Sequence, residues 1–378
     1  MRIAFFTDTY LPTRDGVVSS ILNTRGELER RGHDVFVFCP GSLRAKRENR
    51  DPHVFYHTAA PFQPYPDYKI ALFPFLSERM VRKLGCQLIH SHGMATMGLA
   101  ALAVSRALSL PLVGSFHTLV PEAAHYISRA GVVKRLTQRI AWNYVRWYYN
   151  QCARTIAPSH AITTLLARHG FRNLRTAPNG IDVERFNPRV DGRPVRAKLG
   201  LEANPLILHV GRVALEKNLE VLIRSALLIQ EEEPDARFVI AGAGPALEYY
   251  KRLAEREGVA RSFVFTGFVP DDDLPAYYAA CDVFAFPSKF ETQGLVALEA
   301  MACGKPVAGA NYLAISELVK DGQNGFLFNP DSPDDCAKAV LQCLRRKRAL
   351  ARNARATAEK YSIQRCTTRL LKIYAEVL

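Results

Sequence analysis

Residues 283–301 read VFAFPSKFETQGLVALEAM: an apolar run of four residues, a polar loop, and a pattern typical of a helix. The same unit of apolar run, loop and helical pattern recurs along the chain, with further runs at 3–6, 112–115 and 206–210. Alternation of strands with helical patterns indicates a parallel sheet covered by helices. We therefore predict an α/β protein with two Rossmann-like units in tandem.

The length of the chain fits this division, because 378 residues correspond to two domains at the usual ~100–200 residues each. A stretch rich in proline, glycine and charged residues at 187–205 is the predicted connection. We expect the first domain over 1–190 and the second over 191–361. A terminal helix over about residues 362–378 is a candidate to pack back onto the first domain.

The charge of the chain is unevenly placed. Lysine and arginine number 50 against 36 aspartates and glutamates, a net charge of +14. Residues 1–190 carry 25 basic and 12 acidic side chains, whereas 191–378 carry 25 and 24. This field attracts an anionic partner, for which the candidates are nucleic acid, a phosphorylated substrate and an acidic membrane surface. No nucleic-acid-binding motif is recognisable, so nucleic acid is not an expected partner.

Three features bear on location. The eight cysteines are scattered, without disulfide or zinc-site spacing, which predicts reduced thiols in a cytoplasmic protein without a metal site. The first residues already form a strand pattern and show no signal-peptide features. The longest apolar helical pattern, 93–104, stops before Arg106 and falls short of the ~20 residues that a bilayer requires.

Ligands of open parallel sheets bind beyond the carboxyl ends of the strands, so the residues that follow each apolar run are candidates. After 206–210, Gly211 permits a turn. Arg212 supplies a planar guanidinium with paired N–H donors and Lys217 supplies a compact ammonium charge, and both groups suit a diphosphate. The alternative is a solvated loop with two ordinary surface cations.

The loop and helix after residue 286 hold a second set of candidates. The backbone amides of Gly294, Leu295 and Val296 would face an anion at the helix start. Glu291 and Glu299 suit hydroxyl recognition better than phosphate binding. The alternative for Glu291 is a favourable charge at a helix N-terminus. Glu299 lies on an apolar helix and requires a partner, because an unpaired buried carboxylate is costly.

The first half offers weaker candidates. His117 follows the run at 112–115, although a lone histidine is more often structural. Gly16 opens a helix and could leave amides free for a substrate. Three patterns are discounted: the glycines at 242–245 lack a dinucleotide fingerprint, the aspartates at 271–273 suit helix capping, and His90 with His92 supplies only two zinc ligands.

Together these motifs resemble the retaining glycosyltransferases of the GT-B fold, a large family that includes sucrose synthases and phosphatidylinositol mannosyltransferases. The resemblance covers nearly the whole chain. Its most specific parts are Gly211-Arg212 with Lys217-Asn218, and residues 291–306, which contain a Glu-x7-Glu motif and EAMACGKP. It implies two facing Rossmann-like domains with parallel sheets and an interdomain cleft, with the acceptor on the first domain and the nucleotide sugar mainly on the second.

The resemblance also implies roles for single residues. Arg212 and Lys217 would hold the donor diphosphate and stabilise it as leaving group. Glu291, with the amides after Gly294, would bind the sugar hydroxyls, and Glu299 would bind the ribose. His117 would contact the donor sugar near the reacting centre. The acceptor hydroxyl would attack from the front side with retention, and neither a metal nor another cofactor would be needed.

The first loop matches the family less well. Members commonly carry Gly-Gly where this chain has Asp15-Gly16. Gly16 would still lie near the donor phosphate and the acceptor, with Val17 beside it at the acceptor.

Narrower matches concern the acceptor. ETQGL at 291–295, TDTY and DGV within 7–17, and the residues after His117-Thr118 are similar to bacterial diacylglycerol glucosyltransferases. This implies glucose transfer from UDP-glucose to a membrane lipid. The acceptor residues that it implies in the third stretch are Glu122, His125 and Tyr126.

A membrane-binding segment is predicted at 64–86, where aromatic and aliphatic residues alternate with basic ones as in interfacial segments. Its expected contacts with an anionic membrane are Lys69, Leu72, Phe73, Arg79, Arg82 and Lys83. A second aromatic and basic segment at 134–154 is assigned to the core, because aromatic residues at helical spacing usually serve one. We expect a peripheral protein at the inner face of the cell membrane.

Other functions stay open at this point. A GDP-mannose-dependent mannosyltransferase acting on phosphatidylinositol, another lipid or a soluble acceptor would show the same motifs. A glycoside hydrolase could also use two carboxylates. A basic nucleic-acid-binding protein is the alternative from another class. The sequence leaves the oligomeric state open.

Overall fold

The computed structural model describes residues 1–13, 15–62, 65–72, 74, 77–119 and 131–378. The chain divides into two compact units. The first comprises Met1–Gly180 and Ile363–Leu378, and the second comprises Ile181–Ser362.

The first unit is an eight-stranded sheet with helices between most of its strands. Its strands are β1 (Arg2–Phe6), β2 (Asp34–Gly41), β3 (Val54–Phe62), β4 (Tyr65–Ala71), β5 (Leu88–Ser91), β6 (Leu112–Ser115), β7 (Arg154–Ala157) and β8 (Leu174–Thr176). Its helices up to residue 180 are α1 (Gly16–Arg30), α2 (Leu43–Glu48), α3 (Ser77–Lys83), α4 (Thr96–Leu108), α5 (Gly131–Tyr149) and α6 (His160–Arg168).

The strand order of this sheet is β4-β3-β2-β1-β5-β6-β7-β8. Neighbours are parallel except at one edge, where β4 runs antiparallel to β3. The predicted parallel sheet is thus confirmed, with one antiparallel strand added at this edge. The predicted membrane-binding segment, 64–86, contains both β4 and α3. Its first part forms a strand, because alternating residues suit pairing with β3.

The second unit has the same alternation. Its strands are β9 (Leu206–Val210), β10 (Arg237–Ala241), β11 (Phe263–Gly267), β12 (Val283–Phe286), β13 (Val307–Ala310) and β14 (Gly325–Phe328). Its helices are α7 (Arg193–Leu199), α8 (Leu219–Glu232), α9 (Leu247–Arg256), α10 (Leu274–Ala280), α11 (Leu295–Ala302), α12 (Leu313–Leu318) and α13 (Pro333–Glu359). The sheet is wholly parallel in its pairings, with the order β11-β10-β9-β12-β13-β14.

The second sheet is buried on both faces. On β9, Ile207 packs into one apolar cluster with α8, α9 and α13, whereas Leu206 and Leu208 pack into another with α10 and α11. Successive side chains of a strand point to opposite faces, so a sheet covered on both sides needs continuous apolar strands. The run LILHV meets that requirement, and its one polar residue, His209, is fully buried.

The last helix, α14 (Ile363–Ala375), belongs to the first unit. Its Tyr374 is part of the apolar cluster under β1 and β2, and Arg31 at the end of α1 donates hydrogen bonds to the Gln364 carbonyl and the Thr368 hydroxyl. The chain passes from the first unit into the second after Gly180, earlier than the predicted boundary at 190. The reason is that Ile181, Val183 and Phe186 pack into the core of the second unit.

All eight cysteines are buried and none forms a disulfide. Burial raises the pKa of the Cys86 and Cys336 thiols to about 12. Among the helices that the structure describes, none has the length and apolar character needed to cross a bilayer.

Candidate active site

The loop after β9 is held against the loop after β10. The Gly211 amide donates to the Ala241 carbonyl at 3.0 Å, and the Val213 amide donates to the Ala243 carbonyl at 2.9 Å. A Cβ on Gly242 would overlap the carbonyl oxygen of Gly211. The glycines at 242 and 244 therefore serve this close backbone approach, which explains a pattern that lacks the features of a dinucleotide site.

Lys217 and Glu291 form an ion pair across the ends of β9 and β12. Lys217 lies in a short 3-10 helix, Leu215–Lys217, and its Nζ is 2.6 Å from Glu291 Oε1. Burial alone would raise the pKa of Glu291, but the Lys217 ammonium, together with Ser288 and His209, outweighs burial and keeps that pKa below its usual value. The structure thus joins two residues that the sequence assigned to separate tasks, diphosphate and sugar.

Asn218 ties the same two strand ends together. It has a left-handed backbone, with φ 55°, and its side-chain amide donates to the carbonyls of Pro287 at 3.2 Å and Pro330 at 2.8 Å. The sequence motif contained this residue but gave it no task. A signal was present, because asparagine tolerates this conformation better than most residues.

Gly294 opens α11 in a conformation that favours glycine. Its φ is 87°, and a Cβ there would lie 2.7 Å from Ile315 Cδ1 and 3.1 Å from Phe286 Cε1. Helix α11 begins at Leu295, and the Ala297 amide donates to the Gly294 carbonyl at 3.1 Å. The amides of Gly294, Leu295 and Val296 thus belong to the first turn, whose amides have no partner within the helix. The structure confirms that α11 begins here, and anion binding by these amides stays a prediction.

Glu299 has the partner that its apolar helix demands. The Tyr278 hydroxyl, from α10, donates to Glu299 Oε2 at 2.7 Å. Burial raises the pKa of Glu299 to about 7, although the Tyr278 hydrogen bond opposes this rise. Glu299 thus titrates near neutral pH, and its capacity to accept hydrogen bonds depends on pH.

His209 is a residue of this region that the sequence pattern did not indicate. It is fully buried on β9, its Nδ1 lies 3.1 Å from the Ala285 carbonyl, and Gly211 lies on its Nε2 side. Burial lowers the pKa of His209 to about 4, so the ring is neutral at pH 7. His209 is a single polar residue within the apolar run LILHV, so no sequence pattern distinguishes it from the core residues around it.

The first unit presents Gly16 at the start of α1. The preceding Asp15 caps the helix, accepting the Val18 amide at 2.8 Å and the Thr9 hydroxyl at 3.2 Å. Capping accounts for aspartate at a position where a second glycine is common. Gly16 and Val17 form the first turn of α1, beyond the carboxyl end of β1.

His117 follows β6 and belongs to a histidine cluster. Its Nε2 lies 3.1 Å from His92 Nδ1, and the two rings are stacked. Burial lowers the pKa of His117 to about 4. His90 and His92, discounted as a zinc pair, thus take part in a network around a predicted site residue.

The remaining predicted contacts divide into two groups. Lys69 is on β4, Leu72 follows it, and Arg79, Arg82 and Lys83 are on α3, where Arg82 forms an ion pair with Glu78 at 2.7 Å. Four further residues lie outside the described part of the chain: Phe73, Glu122, His125 and Tyr126. Among the described residues, no group of three or more His, Cys, Asp or Glu side chains is placed to hold a metal ion.

Comparisons with known proteins identify the family. Residues 193–361 match the family described as Glycosyl transferases group 1, and residues 14–185 match Glycosyltransferase Family 4. The chain is 30% identical over 339 residues to the alpha-monoglucosyldiacylglycerol synthase of Acholeplasma laidlawii, which covers 87% of this chain and 85% of that protein. The chain belongs to the group 1 glycosyltransferases of the GT-B fold.

Two further likenesses place this group 1 glycosyltransferase among its relatives. It is 26% identical over 391 residues to the GDP-mannose-dependent alpha-mannosyltransferase of Corynebacterium glutamicum, covering 100% of this chain and 89% of that protein. The crystal structure of Anabaena Alr3699/HepE in complex with UDP matches with a TM-score of 0.79 and 23% identity, over 100% of both chains. This last likeness concerns the fold alone.

Proposed function

We propose that this group 1 glycosyltransferase transfers glucose from UDP-glucose to a hydroxyl of a membrane lipid such as diacylglycerol. The observation that carries the proposal is the joining of Lys217, Glu291 and the first turn of α11 at neighbouring strand ends of the second unit. A paired cation, a carboxylate and free helix amides suit a sugar diphosphate. The name of the Acholeplasma laidlawii relative supports glucose and diacylglycerol.

The donor diphosphate is bound by charge and by backbone amides in this proposal. Arg212 and Lys217 hold it, with Gly211 allowing close approach of the backbone. Cations fixed before the reaction stabilise the charge that develops on a leaving group, which is a large source of catalysis. Glu291 and the amides of Gly294, Leu295 and Val296 bind the sugar hydroxyls, and Glu299 accepts hydrogen bonds from the ribose. No metal takes part.

The transfer proceeds with retention in this proposal. The bond between the anomeric carbon and the diphosphate oxygen breaks, and the acceptor oxygen forms its new bond on the same face. The acceptor proton passes to the departing phosphate oxygen. His117 contacts the donor sugar, and Gly16 lies near the phosphate and acceptor. Val17 contacts the acceptor together with Glu122, His125 and Tyr126.

Mannose transfer from GDP-mannose is the second candidate. The full-length likeness to a GDP-mannose-dependent mannosyltransferase favours it. The residues that bind phosphate and hydroxyls would be shared between the two reactions. The difference would lie in contacts to the base and to the sugar hydroxyls.

A peripheral position at the inner face of the cell membrane is part of the proposal, and α5 supports it. Its sequence contains four basic residues and no acidic residue. Val145, Tyr148 and Tyr149 are buried, as expected for a core helix. Its other face exposes large apolar side chains, with exposed fractions of 59% for Leu136 and 60% for Ile140. An amphipathic basic helix of this kind suits an anionic lipid surface.

A donor panel tests the proposed function. Purified enzyme is incubated with radiolabelled UDP-glucose, UDP-galactose or GDP-mannose and with vesicles that contain diacylglycerol or phosphatidylinositol, and label is measured in the lipid extract. We expect label from UDP-glucose in the diacylglycerol extract. Label from GDP-mannose alone would establish the second candidate, and no lipid label from any donor would overturn the proposal.

A further inference from the structure

A row of three histidines lies at the carboxyl ends of β5 and β6 in the first unit. The ring centroids of His90 and His92 are 4.0 Å apart, and those of His92 and His117 are 5.3 Å apart. His92 Nδ1 is 3.1 Å from His117 Nε2, so one ring donates a hydrogen bond to the other.

His90, at one end of the row, has a hydrogen-bond partner on each ring nitrogen. His90 Nδ1 lies 2.6 Å from the Tyr374 hydroxyl of α14, and His90 Nε2 lies 2.8 Å from Ser115 Oγ. The middle ring differs. Within the described part of the chain, His92 Nε2 is buried and has no hydrogen-bond partner. Buried polar atoms are nearly always paired, so this nitrogen requires an explanation.

A small polar cavity lies beside His92. Its volume is about 20 Å³, and a water molecule needs about 10–15 Å³. The cavity is lined by both His90 and His92 and by polar side chains that could bind a water, namely Ser20, Thr24, Ser115, Asn179 and Thr367. All of these belong to the first unit.

We propose that one ordered water in this cavity donates a hydrogen bond to His92 Nε2 and thereby makes His92 a positioning residue for His117. With Nε2 accepting, the single ring proton of His92 is on Nδ1, and this N–H donates a hydrogen bond to His117 Nε2. The remaining proton of His117 is then on Nδ1. We choose this direction because a buried N–H without a protein partner is rarer than an under-satisfied acceptor.

The directional chain requires neutral rings, since a doubly protonated imidazole has no acceptor. Burial lowers the pKa of His90 to about 3 and that of His117 to about 4. Burial and its two histidine neighbours hold the pKa of His92 well below its ordinary value. At pH 7 each ring therefore carries one proton, and its position is set by the hydrogen bonds.

The inference rests on the proposed function in one respect, namely that His117 contacts the donor sugar. The tautomers are tested without any substrate. In the full chain labelled with ¹⁵N-histidine, nitrogen shifts and couplings at pH 7 assign each ring proton. We expect Nδ1–H for His92 and His117. An Nε2–H tautomer of His117 would overturn the inference, even if the enzyme transfers glucose.

Variants at His92 separate its two nitrogens. In His92→Asn, the side-chain amide can replace the Nδ1–H donor to His117, whereas in His92→Gln it reaches toward the cavity instead. We expect His92→Gln and His92→Phe to lower kcat by up to about 100-fold with little change in the donor KM, because His117 is misplaced. His92→Asn should retain most of the activity and the His117 tautomer.

A matched control is His57→Asn, since His57 Nε2 forms a hydrogen bond with Ser77 Oγ at 2.8 Å and lies outside the cluster. It should leave kcat and the His117 signals unchanged. Equal kcat in His92→Phe and wild type would overturn the inference. If His92→Phe does not fold, a changed His117 tautomer in folded His92→Asn would overturn it.

The water is tested through Thr24→Val, which replaces a hydroxyl in the cavity wall with a methyl group of similar size. We expect the His92 Nε2 nitrogen signal to move and the His117 tautomer to become mixed. Unchanged signals at both rings would overturn the role of the water. If wild-type enzyme shows no transfer at all, the proposed function fails while these signals still decide the inference.

Discussion

Lys217 Nζ lies 2.6 Å from Glu291 Oε1, and the exposed fractions of the two side chains are only 23% and 15%. The cation proposed for the donor diphosphate is thus already paired with the carboxylate proposed for the sugar. An anionic ligand that approaches Lys217 shares this cation with Glu291. If the proposed roles hold, the pair couples diphosphate binding to the position of the carboxylate proposed to hold the sugar.

Loss of the cation should reveal this coupling. Lys217→Met leaves Glu291 with no ammonium, so the pKa of Glu291 should rise and the free energy of unfolding should fall by about 1–3 kcal/mol. Transfer should fall at least about 100-fold because the leaving group loses its fixed charge. Chemical denaturation and initial rates measure the two effects.

A double variant provides the control. Lys217→Met with Glu291→Gln removes both charges, so stability should return toward wild type while activity stays low. Lys251→Met is a matched surface change, because Lys251 pairs with Glu248 at 2.9 Å with 42% and 72% exposure. It should alter stability by less than about 0.5 kcal/mol. Wild-type transfer by Lys217→Met would refute the leaving-group role.

Glu299 should make stability depend on pH. Its pKa is about 7 in the folded state against an ordinary value of 4.5. The folded state therefore holds this proton to higher pH than the unfolded state does, and the contribution of Glu299 to stability falls as the pH rises from about 4.5 to 7. The fall amounts to at most about 3 kcal/mol.

Glu299→Gln removes this titration. Denaturation curves at pH 5 and pH 8 should show the variant gaining stability relative to wild type at the higher pH. Its affinity for UDP should fall about tenfold at pH 8, because an amide accepts fewer hydrogen bonds from a ribose diol than a carboxylate. The same pH slope in both proteins would contradict the raised pKa.

Gly294→Ala should damage the start of α11. The positive φ costs about 1–2 kcal/mol for a residue with a Cβ, and the overlap with Ile315 adds about 1–3 kcal/mol. Gly322→Ala is the control, since its φ is 69° but the nearest atom to a Cβ is 3.7 Å away. Only Gly294→Ala should also weaken UDP binding, measured by calorimetry. Equal losses in both variants would exclude a special role for the Gly294 packing.

Much of the second unit could be predicted from the sequence, because its buried strands are continuous apolar runs that end in glycine or polar loops. The Lys217 and Glu291 pair could not be predicted, since the two residues lie far apart in the chain and only the sheet order joins β9 to β12. Strand β8 was missed because Leu174–Thr176 has three residues and is only half-buried. The histidine row was missed because β5 and β6 come together only through long-range pairing.

The exposed face of α5 predicts where the protein meets lipid. The double variant Leu136→Glu with Ile140→Glu should abolish sedimentation with vesicles rich in phosphatidylglycerol. We expect little sedimentation with neutral vesicles, for the wild type and the variant alike. Phe268→Glu changes a residue that is 71% exposed in the second unit and should have no effect. Neutralising Arg79, Arg82 and Lys83 on α3 tests the other candidate surface. If only the α3 variant loses binding, α5 is not the lipid-binding helix.

The central claim is sugar transfer from a nucleotide sugar to a lipid hydroxyl with retention. Its most direct test is an NMR time course with ¹³C-labelled UDP-glucose and diacylglycerol vesicles, which follows the anomeric carbon and the released UDP together. We predict an α-linked glycolipid that forms in step with UDP, and at least about 100-fold slower formation of both with Lys217→Met. Labelled free glucose without glycolipid, or a β-linked product, would contradict the account.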